Sequence, residues 1–408
     1  MDLSAGFCYR CAMQNSNTYK TIPPPFYRPD PLVPILFITL IFFMTFLARV
    51  MFSPLMPSIE TEMHLSHAQA GSMFLIMSIG YFIALAGSGF ISARIYHRFT
   101  IVAAACGAGV SLILAAASYQ YWQLQAAIFL LGMAAGTYLP SGITSLTSMV
   151  DARNWGKAVS IHEMAPNLAF VAAPAIAQFF LLYFTWRSMP AAVGAVCLLL
   201  GASFAVWGKG GDFPGKPPGA EAIRDLAATR AFWFMVLLFA VAVSSTMGLY
   251  TMLPLYLVNE LEVSQGFANS LVALSRLPGV AMALAAGWAT DRFGPRRTIT
   301  LMLGLTGMAT IGIGVCKDPG LATGLIIAQA GLSTGYFPAG FALLSAIAPA
   351  KHRNVAVSLA IPLAFVYGGG IAPAIIGITG DAGSFAAGIV LVGVLICLGA
   401  MLPVFLKN

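Results

Sequence analysis

Charge is what this sequence has least of: Asp, Glu, Lys and Arg make up 9% of 408 residues, where a soluble domain carries about 25%. So little charge excludes a chain that is mainly water-facing. The phosphate-cradling pattern G-x-x-x-x-G-K is absent, and the polar stretches are too short to hold an ATPase domain. No Ser-His-Asp arrangement suggests catalysis, so an enzyme is not expected. Metal-ligand spacing is missing too. Cys8 and Cys11 form a lone C-x-x-C with no second pair and no nearby His. Cys106, Cys197, Cys316 and Cys397 fall within apolar runs or at their ends, as small fillers. Neither a cofactor nor a metal is expected.

Apolar residues are what the chain has instead. They account for 59% of it, and the mean hydropathy is +0.85. Runs of at least about 18 apolar residues recur along the chain, each enough to cross the hydrocarbon as a helix. They are continuously apolar and do not alternate at period two, which excludes a transmembrane barrel. Twelve spans are expected: 33–57, 68–91, 99–118, 124–149, 158–183, 188–207, 232–257, 267–290, 298–316, 321–347, 355–379 and 384–405. The fold class is therefore all-α integral membrane.

Cations orient the spans. With a cytoplasmic N-terminus, seventeen of the twenty-one Lys and Arg fall on the cytoplasmic side, and only Arg187 and Lys317 fall outside. Both termini are then cytoplasmic in a multi-pass cell-membrane protein. The net charge of +7 is a topology signal, spread over short loops that face lipid headgroups, and does not point to nucleic acid. Residues 1–32 lack a signal-peptide pattern, and Pro23, Pro24, Pro25, Pro29 and Pro31 predict an extended, mobile cytoplasmic tail.

The chain repeats itself at half-length. The stretch from Gly287 to Ile299, G-W-A-T-D-R-F-G-P-R-R-T-I, has a degraded copy 198 residues earlier, G-F-I-S-A-R-I-Y-H-R-F-T-I from Gly89 to Ile101. At the same offset Leu65-Ser66-His67 matches Val263-Ser264-Gln265, and Leu139-Pro140-Ser141-Gly142 matches Phe337-Pro338-Ala339-Gly340. Pro57 and Pro254 are expected to close the first helix of each half. Two six-helix bundles follow, 33–207 and 232–408, joined by a cytoplasmic linker, 208–231, in which Ala220 to Arg230 can form a short amphipathic helix. Parallel repeats of this kind suit a carrier with its site between the halves.

With this loop and its copy, the chain resembles the major facilitator superfamily over roughly residues 33–406. The resemblance implies that the loop is a cytoplasmic latch whose Asp and Arg residues pair with each other and with helix ends in the outward-facing state. Gly287, Asp291, Arg292, Gly294, Arg296 and Arg297 match that pattern. The first copy keeps Gly89, Arg94 and Arg98, but has Ala93 in place of Asp and Tyr96 in place of the second Gly. These charges alternatively serve only to set topology.

Charges within spans are the substrate candidates. Arg276 lies eleven residues before Gly287, about 16 Å deep. Arg49 precedes Pro57 by eight residues, about 12 Å. Intramembrane cations in different halves favour an anionic ligand, because a guanidinium grips a carboxylate or phosphate with two parallel hydrogen bonds. Alternatively each caps carbonyls or pairs with a buried acid, for which Glu163 is the one candidate. His162 and Glu163 in span 5 are the proton-coupling candidates; otherwise they brace the loop between spans 4 and 5. Asn167 shares the Glu163 face. Tyr81, Tyr138, Tyr336 and Tyr367 fall near mid-span, where each hydroxyl needs a partner, from a wet cavity or a neighbouring carbonyl. Gly368, Gly369 and Gly370 suggest a bend with close helix contact.

Within the superfamily, an Arg in helix 1 with a His in helix 5 resembles organophosphate and organic-anion carriers. An Arg in helix 8 resembles monocarboxylate and oxalate carriers, and neither subgroup is assigned. The expectation is a monomeric secondary active transporter of a small organic anion, a carboxylate foremost, working by alternating access with proton symport. A proton-driven exporter of drugs or siderophores and a transporter-like receptor are the alternatives.

Overall fold

The computed structural model describes residues 29–215, 220–347 and 353–405. The Cys8–Cys11 pair, and the expected cytoplasmic cations Arg10, Lys20, Arg28, Lys216, Lys351 and Lys407, lie outside the described residues. The rest is helical. Eleven helices among the described residues are long and apolar enough to cross a membrane, and one of them, His67–Ala116, runs for 50 residues. That one is two spans, separated where Tyr96 leaves the helix at φ 64°, ψ 159°. Twelve spans result, designated α1 (Leu32–Met63), α2 (67–95), α3 (97–116), α4 (Tyr121–Ser148), α5 (Trp155–Tyr183) and α6 (Ser188–Trp207) in the first half. The second half has α7 (Arg230–Asn259), α8 (Gln265–Phe293), α9 (Pro295–Val315), α10 (Pro319–Ile347), α11 (Leu359–Asp381) and α12 (Phe385–Phe405).

Local chemistry sets the boundaries. Ser66, Ser264, Asp318 and Ser384 begin α2, α8, α10 and α12 as N-caps, each side chain accepting from a backbone N–H one turn on. The linker carries the expected amphipathic helix, Ala220–Ala227, with Leu226 buried. One boundary expectation fails. Pro57 and Pro254 do not end their helices, which continue to Met63 and Asn259. A proline removes one hydrogen bond but need not stop a helix whose flanks are packed, and at Pro254 the vacated Tyr250 carbonyl accepts from Ser53 Oγ at 2.9 Å. Arg49 consequently lies deeper than Pro57 suggests, fourteen residues or about 21 Å from the end of α1.

Packing follows the duplication. In the first half α2 crosses α4 and α3 packs on α6, and α9 pairs with α12 in the second. Across the halves α2 packs on α11, and its counterpart α8 packs on α5. With no hydrophobic effect to drive helices together in lipid, close backbone approach has to come from small residues. A Cβ at Gly132 or Gly136 would collide with the α2 carbonyls of Met77 or Tyr81. The α7–α11 crossing is similar: each helix holds a five-residue π segment, Ser244–Gly248 and Tyr367–Ile371, and a Cβ on Gly248 would meet the Gly368 carbonyl. The Gly368-Gly369-Gly370 run is thus a close-contact segment, as expected.

The halves touch unequally. Call the end that carries the linker the linker end, and the opposite one the distal end. Among the described residues, every hydrogen bond between the two halves lies between mid-span and the distal end: Ser53 to Tyr250, Ser58 and Pro54 to Gln265, His67 and Ala68 to Asp381, Tyr250 to Phe170, and Asn269 to Gln178. At the linker end Asp291, Arg292 and Arg297 are exposed, and among the described residues neither they nor Arg296 form an ion pair.

Candidate cation and proton sites between the halves

Both intramembrane arginines stand where a helix breaks. α1 is interrupted at Met51, between Pro29–Val50 and Phe52–Met63, and Arg49 occupies the last turn of the first piece. Arg276 caps the piece Gln265–Ser275, before Pro278 starts the next. A proline shortly after each removes an N–H, and the carbonyl-rich end of each piece carries partial negative charge that favours a cation. The sequence thus places each guanidinium on a helix C-terminus within the membrane.

Aromatic rings, not acids, surround them. The Arg49 guanidinium carbon is 4.1 Å from the Tyr81 ring centre, 5.3 Å from Phe365 and 5.4 Å from Phe46. Arg49 is 6% exposed, its side chain interacts with that of Tyr81, and its Nε is buried without an acceptor. Arg276 lies 4.6 Å from both Phe170 and Tyr250. Its Nη2 donates to the Thr246 carbonyl at 2.7 Å, and its Nε too is buried without an acceptor. Thr246 belongs to the π segment of α7, where the shifted pairing leaves carbonyls to be taken by side chains. Gln329 fills the neighbouring one, Ser245, at 2.9 Å. Phe46 and Phe170 meet edge to face at 5.3 Å, so a continuous aromatic wall runs from one cation to the other across the two halves. Carbonyl capping is realised for Arg276 and not for Arg49. Pairing with Glu163 occurs for neither.

Glu163 pairs elsewhere. Its carboxylate is 3.1 Å from Nδ1 of His162, with the imidazole fully buried and the carboxylate half exposed. The His162 ring stacks on Phe42 at 4.2 Å, and its Nε2 is 3.0 Å from the Tyr138 hydroxyl. Tyr138 donates to the Ile38 carbonyl at 2.8 Å, so its oxygen must accept from Nε2–H. That tautomer turns Nδ1 toward the Glu163 carboxyl. Asn167 is exposed and donates back to the Glu163 carbonyl.

The remaining candidates separate. Of the two sources of a hydroxyl partner, the neighbouring carbonyl serves Tyr138, which is 1% exposed. Tyr81 packs on Arg49. Tyr336 is buried with its hydroxyl unpaired, and Tyr367 lies in the α11 π segment, half-buried and without a hydrogen bond among the described residues. Gly294 turns the α8–α9 loop at φ 86°, below Gly287, and Asp291 is unpaired there. In the first copy Gly89 lies within α2 and Arg94 is exposed, whereas Arg98 binds Asp212 at 3.1 Å and the Ala205 carbonyl at 3.0 Å. The missing acid at Ala93 is thus made up by the linker. Sequence reasoning missed Tyr250, Phe46, Phe170, Phe365 and Thr246. The available signal was proline spacing: Pro174 and Pro254 each vacate a carbonyl four residues back, at Phe170 and Tyr250.

A duplicated twelve-helix bundle with cations between its halves is a carrier architecture, and the Major Facilitator Superfamily model matches residues 38–331 and 239–408. The chain belongs to the major facilitator superfamily. Among curated relatives it is 24% identical over 294 residues to the 4-hydroxybenzoate transporter PcaK of Pseudomonas putida, across 63% of this chain and 66% of that one. The match thus spans just under two thirds of the relative. Its backbone is similar to an inward-facing, unoccupied bacterial homologue of the human lysosomal transporter Spinster, with a TM-score of 0.79 and 17% identity over 93% of this chain and 97% of that one. A D-xylose–proton symporter gives a TM-score of 0.72 and 17% identity, covering 90% and 96%. Both likenesses speak to the fold alone.

Proposed function

We propose that this transporter moves a small organic anion, a carboxylate foremost, by alternating access between the halves, with a proton as coupling ion. The reading rests on one observation: Arg49 and Arg276, one from each half, lie on a shared aromatic wall with no carboxylate partner. A guanidinium without a counter-charge in a low-dielectric interior is costly, and a bound anion offsets that cost. An aromatic acid suits the site best, since its ring matches Phe46 and Phe170 while its carboxylate meets a guanidinium. The similarity to a 4-hydroxybenzoate transporter agrees with this choice.

The proton has a separate seat. Glu163 and His162 carry it next to Tyr138, and Glu163 opens toward the linker end. On the charge-derived topology that end is cytoplasmic, the protein lies in the cell membrane as a monomer, and the arrangement is inward-open. In the opposite state Asp291, with Arg292, Arg296 and Arg297, would latch the linker end. Uptake of labelled 4-hydroxybenzoate and benzoate into proteoliposomes tests the reading. Arg276→Ala should lower uptake at least about a hundredfold, the scale of losing a buried charge-assisted pair. Wild-type rates in that variant would remove Arg276 from the mechanism. Counterflow separates a carrier from a receptor that only binds.

A further inference from the structure

Two carbonyls in the seam between the halves have lost their helical donors. Pro254 has no N–H for the carbonyl of Tyr250 in α7, and Pro174 has none for that of Phe170 in α5. Each vacancy is filled from the opposite half. Ser53 Oγ of α1 donates to the Tyr250 carbonyl at 2.9 Å, and the Tyr250 hydroxyl donates to the Phe170 carbonyl at 3.1 Å. Ser53 is wholly buried and Tyr250 is 1% exposed. Tyr250 therefore holds the first half twice, through its backbone and through its side chain. Its ring also carries the Arg276 guanidinium, 4.6 Å away.

We infer that Tyr250 is a positioning residue that closes the distal gate and ties this closure to the cation at Arg276. The link to Arg276 rests on the anion reading; the closure itself does not. An unpaired carbonyl in a dry seam is expensive, and two of them here are satisfied only while the halves stay together. Separating the halves breaks both bonds at once and demands water at both carbonyls, so the gate opens as a unit. The other cross-half contacts hold the same end differently. Gln265 with Ser58 and Pro54, Asn269 with Gln178, and Asp381 with the start of α2 all join the halves without touching either intramembrane cation. Among these contacts only the Tyr250–Phe170 pair reaches both the seam and a guanidinium, and Tyr250 is the member that supplies the donor. A carboxylate drawing Arg276 away from the ring would loosen the same residue that holds the gate.

Hydrogen–deuterium exchange of the full chain in lipid nanodiscs, without ligand, tests this. Tyr250→Phe keeps the ring under Arg276 and removes only the hydroxyl bond, and Ser53→Ala independently removes the other bond. Each should speed exchange about fivefold in 52–63 and 249–259, the loss of one buried hydrogen bond. Each should also slow exchange at the linker ends of α4 and α8, because the two mouths open alternately. Faster distal exchange with no linker-end change would mean local loosening only, and would overturn the proposal. Unchanged exchange in both variants would overturn it too. A thermal-shift titration of the wild type and Arg276→Ala with 4-hydroxybenzoate judges the anion reading separately, since the exchange measurement contains no ligand.

Discussion

Tyr96→Gly should make the protein more stable, although it deletes a large side chain. Tyr96 stands where the second-half copy has Gly294, and the two share one backbone conformation: φ 64°, ψ 159° against φ 86°, ψ 154°. Glycine enters that region freely, whereas a side chain there costs about 1–3 kcal/mol. The strain is held in place by the linker. His97 N–H donates to Phe213, Arg98 N–H to Gly211, and Gly215 N–H back to Ser92, at 3.3, 3.0 and 3.0 Å. Relief of strain is offset by roughly 0.5–1 kcal/mol of extra unfolded-state freedom. Little burial is lost, because Tyr96 is 46% exposed. A net gain of about 1 kcal/mol raises Tm by about 2–4 °C if the first half melts as a unit. Thermal unfolding in detergent, followed by tryptophan fluorescence, reads this directly. Gly294→Ala should move the other way, losing about 1–3 kcal/mol. A lower Tm for Tyr96→Gly together with an unchanged Tm for Gly294→Ala would refute the strain argument.

Two further outcomes follow from packing and pairing. Gly132→Ala drives a methyl into the Met77 carbonyl at the α2–α4 crossing, so it should cost about 1–3 kcal/mol, seen as lower Tm and poor recovery from the membrane. Tyr138→Phe and Tyr336→Phe should differ in sign despite identical chemistry. The first breaks bonds to Ile38 and His162 and loses about 1–2 kcal/mol, while the second removes a buried unpaired hydroxyl and is neutral or stabilising; the ordering of the two Tm values checks it.

The spans, their number and the duplication were legible because membrane helices write themselves as long apolar runs, and a repeated loop survives in charges and glycines. The proline boundaries were not legible. Whether Pro57 ends or merely notches α1 depends on the neighbouring helices, and a linear pattern does not contain them. The cations were visible as Arg49 and Arg276, since any charge stands out in apolar sequence. Their surroundings were hidden for the converse reason: Phe46, Phe170, Phe365 and Tyr250 are indistinguishable from the other aromatics of their spans until packing brings them together. The partner of Arg98 was hidden by distance along the chain, as Asp212 lies 114 residues away.

The two halves show how duplication permits a division of labour. At the shared offset, Tyr138 corresponds to Tyr336, His162 to Ala360, Ala93 to Asp291, and Tyr96 to Gly294. Each substitution has a structural consequence in one half only. Position 360 holds Ala and the Tyr336 hydroxyl is buried without a partner among the described residues, whereas His162 sets its Nε2 3.0 Å from the Tyr138 hydroxyl. Ala93 offers no carboxylate and Arg98 pairs with Asp212 of the linker, whereas Asp291 is exposed with no ion pair among the described residues. On the proposed reading the first half holds the proton and a fixed, clamped loop, and the second half holds the movable latch. A carrier whose halves were identical would have no reason to move a proton on one side of its cargo.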